Sequence, residues 1–88
     1  MHWVYMVECS DGTYYTGYTR NVKRRIKEHN ESNKGAKYTR ARRPVVLKYQ
    51  ESFETRQLAC QREYEIKQFS RSKKEALIKS KERAYSAN

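Results

Sequence analysis

HWVYMVECSDGTYYTGY, residues 2–18, is the stretch on which the fold turns. Its first part, His2 to Glu8, alternates imperfectly but is rich in β-branched and aromatic residues, which suits a strand. Ser10-Asp11-Gly12 is the turn, and Thr13 to Tyr18 is the returning strand. Loop length decides which side chains share a face. A two-residue Asp11-Gly12 loop would pair Ser10 with Thr13 and send Tyr5 and Tyr15 to opposite faces. A three-residue loop pairs Cys9 with Thr13, Val7 with Tyr15 and Tyr5 with Gly17, leaving Tyr5 and Tyr15 as diagonal neighbours on one face. Gly12 stands third in Ser-Asp-Gly, where a type I turn followed by a bulge wants a left-handed residue, so the second register is expected.

Outward from the hairpin, Asn21 is a good N-cap for a helix carrying Val22, Arg25, Ile26 and His29 at i, i+3, i+4 and i+7. Two of the four residues on its apolar face are therefore Arg25 and His29. Arg24 and Glu28 read as a solvent pair on the other side. Residues 30–44, NESNKGAKYTRARRP, read as a long polar connection, and loops of that length in a small domain are usually functional or disordered. Val45 to Gln50 reads as a third strand, central or half-buried from its branched run. A helix from Thr55 to about Phe69 follows, its buried arc defined by Leu58, Ala59, Ile66 and Phe69, with Glu63 on one rim and Glu65 on the other. Ser72 with Glu75 makes a capping box for a short third helix to about Lys81. Residues 1–81 thus form one domain and 82–88 a frayed tail. The expected fold class is α/β of the α+β kind, a small three-stranded, antiparallel-type sheet flanked by helices in the order β-β-α-β-α-α.

Eighty-eight residues leave no room for a second core. No apolar run approaches the roughly 18–20 residues of a spanning helix. Eight Tyr, two Phe and one Trp are more aromatic surface than a disordered chain carries. Cys9 and Cys60, with no metal-type spacing around them, read as buried thiols in a reducing compartment. The N-terminus lacks a basic leader, and a cytoplasmic location is expected. The net charge of +10 points to a polyanionic partner. Residues 20–43 hold ten basic and two acidic side chains, so +8 of the total lies on the first helix and the polar connection. Arg20, Lys23, Arg24, Lys34, Lys37, Arg40, Arg42 and Arg43 are accordingly the candidate nucleic-acid contacts.

There is no Gly-rich phosphate loop, no paired-carboxylate spacing and no HExxH. What remains is a set of tyrosines on a hairpin, an Arg and a His directed inward from the next helix, and an acid on the edge of another helix. Tyrosine serves as a general base only if nearby cations draw its pKa down from about 10. A lone carboxylate can hold Mg2+, which keeps most of its waters and takes further ligands from substrate phosphate. An arginine beside them would brace the phosphate. Together these parts describe phosphodiester hydrolysis.

Trp3-Val4-Tyr5, Tyr15-Thr16-Gly17, the helix Asn21-Val22-Lys23-Arg24-Arg25-Ile26-Lys27-Glu28-His29-Asn30, and Arg62-Glu63-Tyr64 resemble, in that order, the signatures of the GIY-YIG nuclease domain. The resemblance covers residues 2–80 and is nearest to small stand-alone bacterial members. It implies that Tyr15 is the general base or water-positioning group, with Tyr5 supporting it through a hydrogen bond. It further implies that Arg25 contacts the scissile phosphate, that His29 lies close to the nucleophile and that Glu63, rather than Glu65, binds one Mg2+ or Mn2+ ion. Gly17 would be structural, permitting close approach at the sheet face. Two positions depart from the pattern: Tyr18 stands where some relatives carry a lysine, and no Asn occurs between Glu63 and Asn88. The implied activity is a metal-dependent endonuclease, structure-selective or weakly specific, with DNA favoured over RNA. The implied assembly is a monomer or weak dimer with a possible protein partner in repair or recombination. The alternative is a non-catalytic nucleic-acid-binding module.

Overall fold

The first strand, β1 (His2–Glu8), is the middle of a three-stranded antiparallel sheet of order β2-β1-β3, with β2 (Tyr14–Thr19) and β3 (Val46–Phe53) at its edges. A computed structural model describes residues 1–86, with side chains through Lys81. Four helices complete it: α1 (Val22–Glu31), α2 (Lys37–Arg40), α3 (Arg56–Lys67) and α4 (Arg71–Ser86). Both faces of the sheet are covered. Val4 and Met6 pack with Tyr49, Ala59, Ile66 and Ile78, whereas Tyr5, Val7 and Cys9 pack with Val22 and Val45. A strand buried on both sides reads as a near-continuous apolar run, which accounts for the imperfect alternation of residues 2–8.

The three-residue hairpin forms. Val7 lies opposite Tyr15 and Tyr5 opposite Gly17. The Cys9 N–H donates to the Thr13 carbonyl over 2.8 Å, and Gly12 takes a φ of 82°. Asp11 Oδ1 accepts from both the backbone N–H and the hydroxyl of Thr13, closing the turn.

Elsewhere the sequence reading needs correction. The third strand is half-buried, as expected, but it lies at an edge and not in the centre of the sheet, and it runs from Val46 to Phe53. Its irregular pattern comes from a register shift that places Tyr49 opposite Met6 and Leu47 opposite Val7. The extra residue, Lys48, lets neighbouring side chains feed opposite cores. The polar connection contains a helical turn, α2. On α3 the buried stripe is Ala59 and Ile66, and Leu58 is 48% exposed. Helix α3 is rotated so that residues 59, 62, 63 and 66 meet the sheet side, which follows the i, i+3, i+4, i+7 rule about a different centre. The cap of α4 is Ser70, whose hydroxyl accepts from the Lys73 N–H, while Glu75 pairs with Arg71 over 3.0 Å. Helix α4 continues past Lys81 to Ser86 where a frayed tail was expected; residues 87–88 of that tail lie outside the described residues. Cys9 is buried, but Cys60 is half-exposed on α3. No helix among the described residues is long and apolar enough to cross a membrane.

Candidate active site

The hairpin and α1 bring three of the expected residues into one cluster. Asn21 caps α1, its side chain accepting from the Arg24 N–H over 3.0 Å, and α1 packs with His29 turned onto the sheet. The ring centroids of Tyr5 and Tyr15 are 6.5 Å apart, those of Tyr5 and His29 5.7 Å, and those of Tyr15 and His29 5.4 Å. His29 is completely buried. The Tyr5 ring crosses the face of Gly17, where no side chain obstructs it.

The hydrogen bond expected between the two tyrosines is absent; the Tyr5 hydroxyl is bonded to His29 Nε2 over 2.7 Å. Tyr5 and Tyr15 are diagonal on the sheet and their rings are tilted by 48°, so the hydroxyl finds the histidine descending from α1 instead. Burial pushes the Tyr5 hydroxyl up to about 12, against the opposing influence of the Arg25 guanidinium that approaches it. Tyr5 therefore keeps its proton at neutral pH and is no base. Burial also pushes His29 down to about 4, with Arg25 acting in the same direction, so the imidazole is neutral.

Arg25 is half-buried beside this cluster. Its Nη1 donates to Glu28 Oε1 over 3.0 Å and to the Lys34 carbonyl over 2.8 Å. Glu28 is thus shared between Arg25 and Arg24, the latter at 3.7 Å, and is not confined to a solvent pair with Arg24. Glu63 comes from α3, on the other layer, and its charge reaches the Tyr5 hydroxyl. It pairs with Lys67 at 3.5 Å and is 22% exposed, whereas Glu65 is 58% exposed and bonded to Arg62. Of the two carboxylates, Glu63 is the more buried.

The eight basic candidates divide into two kinds. Arg20, Lys23, Arg24, Lys34 and Lys37 carry exposed side chains on the β2 end, α1, the segment leading into α2 and the first residue of α2. The other three spend donors on the protein. Arg40 donates to the Asn33 carbonyl, Arg42 to the Tyr38 carbonyl and Asp11, and Arg43 to the carbonyls of His29 and Ser32. Tyr38 and Thr39 were outside the sequence reading. Tyr38 stacks on Tyr15 at 6.0 Å with the Arg42 guanidinium 3.9 Å above its ring, and Thr39 bonds His29. No local pattern marks either one, because both belong to a four-residue helix inside a polar stretch. A cleft of about 250 Å³ lined by Tyr14, Tyr15, Thr16, Tyr38, Lys67 and Lys74 opens beside the cluster. A larger depression of about 840 Å³ on the outer side of α3 holds none of the candidate residues.

The tyrosine pair on the sheet, Arg25 and His29 on the next helix and the acid on a later one follow the chain order of the GIY-YIG resemblance. The model of the GIY-YIG catalytic domain matches residues 1–84, and the chain belongs to that family. It is 62% identical to the UPF0213 protein VNG_2274C of Halobacterium salinarum, over 89% of this chain and 100% of that one. It is 56% identical to the UPF0213 protein DP2720 of Desulfotalea psychrophila, over 96% and 76%. Among solved structures, the solution structure of the UPF0213 protein BH0048 from Bacillus halodurans matches with a TM-score of 0.60 and 52% identity, covering 91% of this chain and 84% of that one. That of EF2693 from E. faecalis matches with a TM-score of 0.61 and 42% identity, covering 90% and 83%.

Proposed function

We propose that this protein is a metal-dependent endonuclease that hydrolyses phosphodiester bonds in DNA, acting on DNA structure or with weak sequence preference. The observation that carries the reading is the convergence of Tyr5, Tyr15 and His29 in one cluster with Arg25 at its rim. Tyr15 orients the attacking water and, in its phenolate form, accepts its proton. Tyr5, protonated and anchored to His29, gives that water a fixed oxygen to hydrogen-bond. Arg25 releases Glu28 to brace the phosphate.

The acid chemistry fits one hydrated ion. Among the described residues no group of three or more His, Cys, Asp or Glu could hold a metal. Glu63 is a single, half-buried carboxylate whose one ion-pair partner among those residues is Lys67. That is the donor set of a Mg2+ or Mn2+ recruited together with substrate phosphate rather than caged by protein. When bound, the ion supplies charge neutralisation of the phosphate and its leaving oxygen.

The basic residues of α1 and the segment before α2 supply sequence-independent attraction to the backbone. Action in the cytoplasm, beside a partner in repair or recombination, belongs to the same proposal. Supercoiled, branched and single-stranded DNA with Mg2+ or Mn2+ are the test substrates. Cleavage is expected from the native protein, with Glu63→Ala and Arg25→Ala reduced by roughly 10²-fold or more. No cleavage by the native protein, or cleavage by Glu63→Ala and Arg25→Ala equal to the native protein's, overturns the proposal.

A second reading, a nucleic-acid binder without chemistry, draws on Tyr18 in the position of the family lysine and on the lack of Asn between Glu63 and Asn88. It expects salt-sensitive binding that is indifferent to Glu63→Ala and to chelators.

A further inference from the structure

Thr39 is completely buried, and its Oγ1 lies 2.8 Å from His29 Nδ1. A threonine hydroxyl has one proton and can donate only once. Here it donates to the Ala36 carbonyl, three residues earlier, over 3.0 Å. Toward His29 the oxygen is then an acceptor, and Nδ1 must carry the imidazole proton. A neutral imidazole has one N–H, so Nε2 carries a lone pair and accepts from the Tyr5 hydroxyl, 2.7 Å away. The chain of donors runs in one direction, from Tyr5 through His29 and Thr39 to a backbone carbonyl.

The segment that delivers Thr39 is held against α1 by two further features. A Cβ on Gly35 would lie 2.9 Å from the Glu28 carbonyl oxygen and 3.0 Å from His29 Cα, so only glycine lets the backbone come this near. Arg43, just beyond α2, donates to the His29 and Ser32 carbonyls and ties the end of α1 down from the other side. The hydroxyl is thus brought to the histidine by chain geometry on both flanks of α2.

We propose that Thr39 is a positioning residue of the site, fixing His29 as the Nδ1–H tautomer so that the Tyr5 proton points inward and the Tyr5 oxygen faces Arg25 and the substrate as an acceptor only. A water near Tyr5 must then donate to it, which leaves the water's lone pairs turned toward phosphorus. This consequence for catalysis rests on the nuclease reading; the tautomer does not.

Long-range 1H–15N correlation of the histidine rings in the full-length, 15N-labelled protein at pH 7 decides the tautomer, with His2→Asn assigning the two rings. The expected spectrum shows a pyrrole-type Nδ1 and a pyridine-type Nε2 for His29, kept in Thr39→Ser. In Thr39→Val, which replaces the hydroxyl by a methyl group, the two nitrogens exchange character. DNA cleavage in that variant falls roughly tenfold or more, the scale on which an outer hydrogen-bond partner acts, and Thr39→Ser restores it. A pyridine-type Nδ1 in the native protein overturns the proposal, as does a Thr39→Val protein with the native ring pattern and native cleavage. If Thr39→Val does not fold, the native spectrum still gives the tautomer, and Thr39→Ala against Thr39→Ser carries the comparison. If the native protein cuts no DNA, the nuclease reading fails while the ring spectrum still stands or falls by itself.

Discussion

The ring of Tyr5 occupies the space that a side chain at Gly17 would need: a Cβ built there would lie 2.6 Å from Tyr5 Cζ and 2.5 Å from its hydroxyl oxygen. The glycine is what allows Tyr5 to lie across β2 and reach His29. Gly17→Ala is expected to cost about 1–3 kcal/mol, the usual scale of overpacking, in urea unfolding, and to displace the Tyr5 hydroxyl from Nε2. Gly12→Ala is the control, since it meets open space but must adopt a φ of 82°. It should cost about 1 kcal/mol through backbone strain alone and leave DNA cleavage unchanged. Equal losses of cleavage in both variants would argue against a specific role for the Tyr5–Gly17 contact.

The buried cluster dictates a pH profile of stability. His29 is held near 4 in the fold and titrates at about 6.5 when unfolded. Between those values the unfolded chain binds the extra proton and the folded one does not, so stability falls as pH drops from 6.5 toward 4. His2, also lowered, adds to the same window. At the alkaline end Tyr5 and Tyr49 both sit at about 12, so the unfolded chain loses protons first and stability falls as pH rises above 10. Urea titrations from pH 7 to 4.5 should show the acid slope in His2→Asn and a shallower one in His29→Gln, even though the latter starts from a less stable protein.

Arginines that look alike in the sequence should separate by assay. Arg43→Ala removes donors to the carbonyls of His29 and Ser32 and is expected to cost about 2 kcal/mol, on the scale of hydrogen bonds from charged groups. Lys23→Ala, on the exposed side of α1, should leave unfolding unchanged and weaken DNA binding at low salt. The slope of log affinity against log salt should drop by about one in Lys23→Ala. Thermal melts and fluorescence-anisotropy titrations at several salt concentrations read both quantities.

On the proposed nuclease reading, Glu28 competes with the substrate for Arg25. The Arg25 guanidinium, 3.0 Å away, holds the Glu28 carboxyl below the usual carboxylate range. Glu28→Gln is expected to free the guanidinium and tighten DNA binding by about two- to fivefold, the scale of a solvent-accessible ion pair. The gain should vanish in the background of Arg25→Ala, and a double-mutant cycle on binding constants measures it. An equal gain in both backgrounds would mean only a global charge effect.

How much of this was legible in the sequence depended on how local its cause is. The hairpin register follows from Ser10-Asp11-Gly12 alone, because turn chemistry is settled within a few residues, and the N-cap at Asn21 is equally local. Whether Leu58 or Ala59 faces the sheet is not a property of α3. A helix with one narrow stripe is rotated by the surface it meets, and β1 and β2 lie forty residues upstream. Ser70 displaced Ser72 as the cap of α4 for the same reason, since either serine satisfies the local rule. Tyr5, Tyr15 and His29 could be placed in one cluster because they sit on elements with strong local signals. Their partners could not: α2 owes its placement to contacts with α1 and Arg43, so the bond from His29 to Thr39 has no local trace.

Placing Tyr5 on the middle strand divides the site into parts with different rates of opening. The β1 amides are bonded to neighbours on both sides and covered by both layers, so their hydrogen exchange requires opening of the whole fold. The segment from Gly35 to Arg40 hangs on a few contacts to α1 and can exchange by local release. The Tyr5 amide is therefore expected to exchange only with the whole fold, and the Thr39 amide by release of α2 alone. On the proposed reading, adjustment to a bound strand would fall to α2 and the arginines around it.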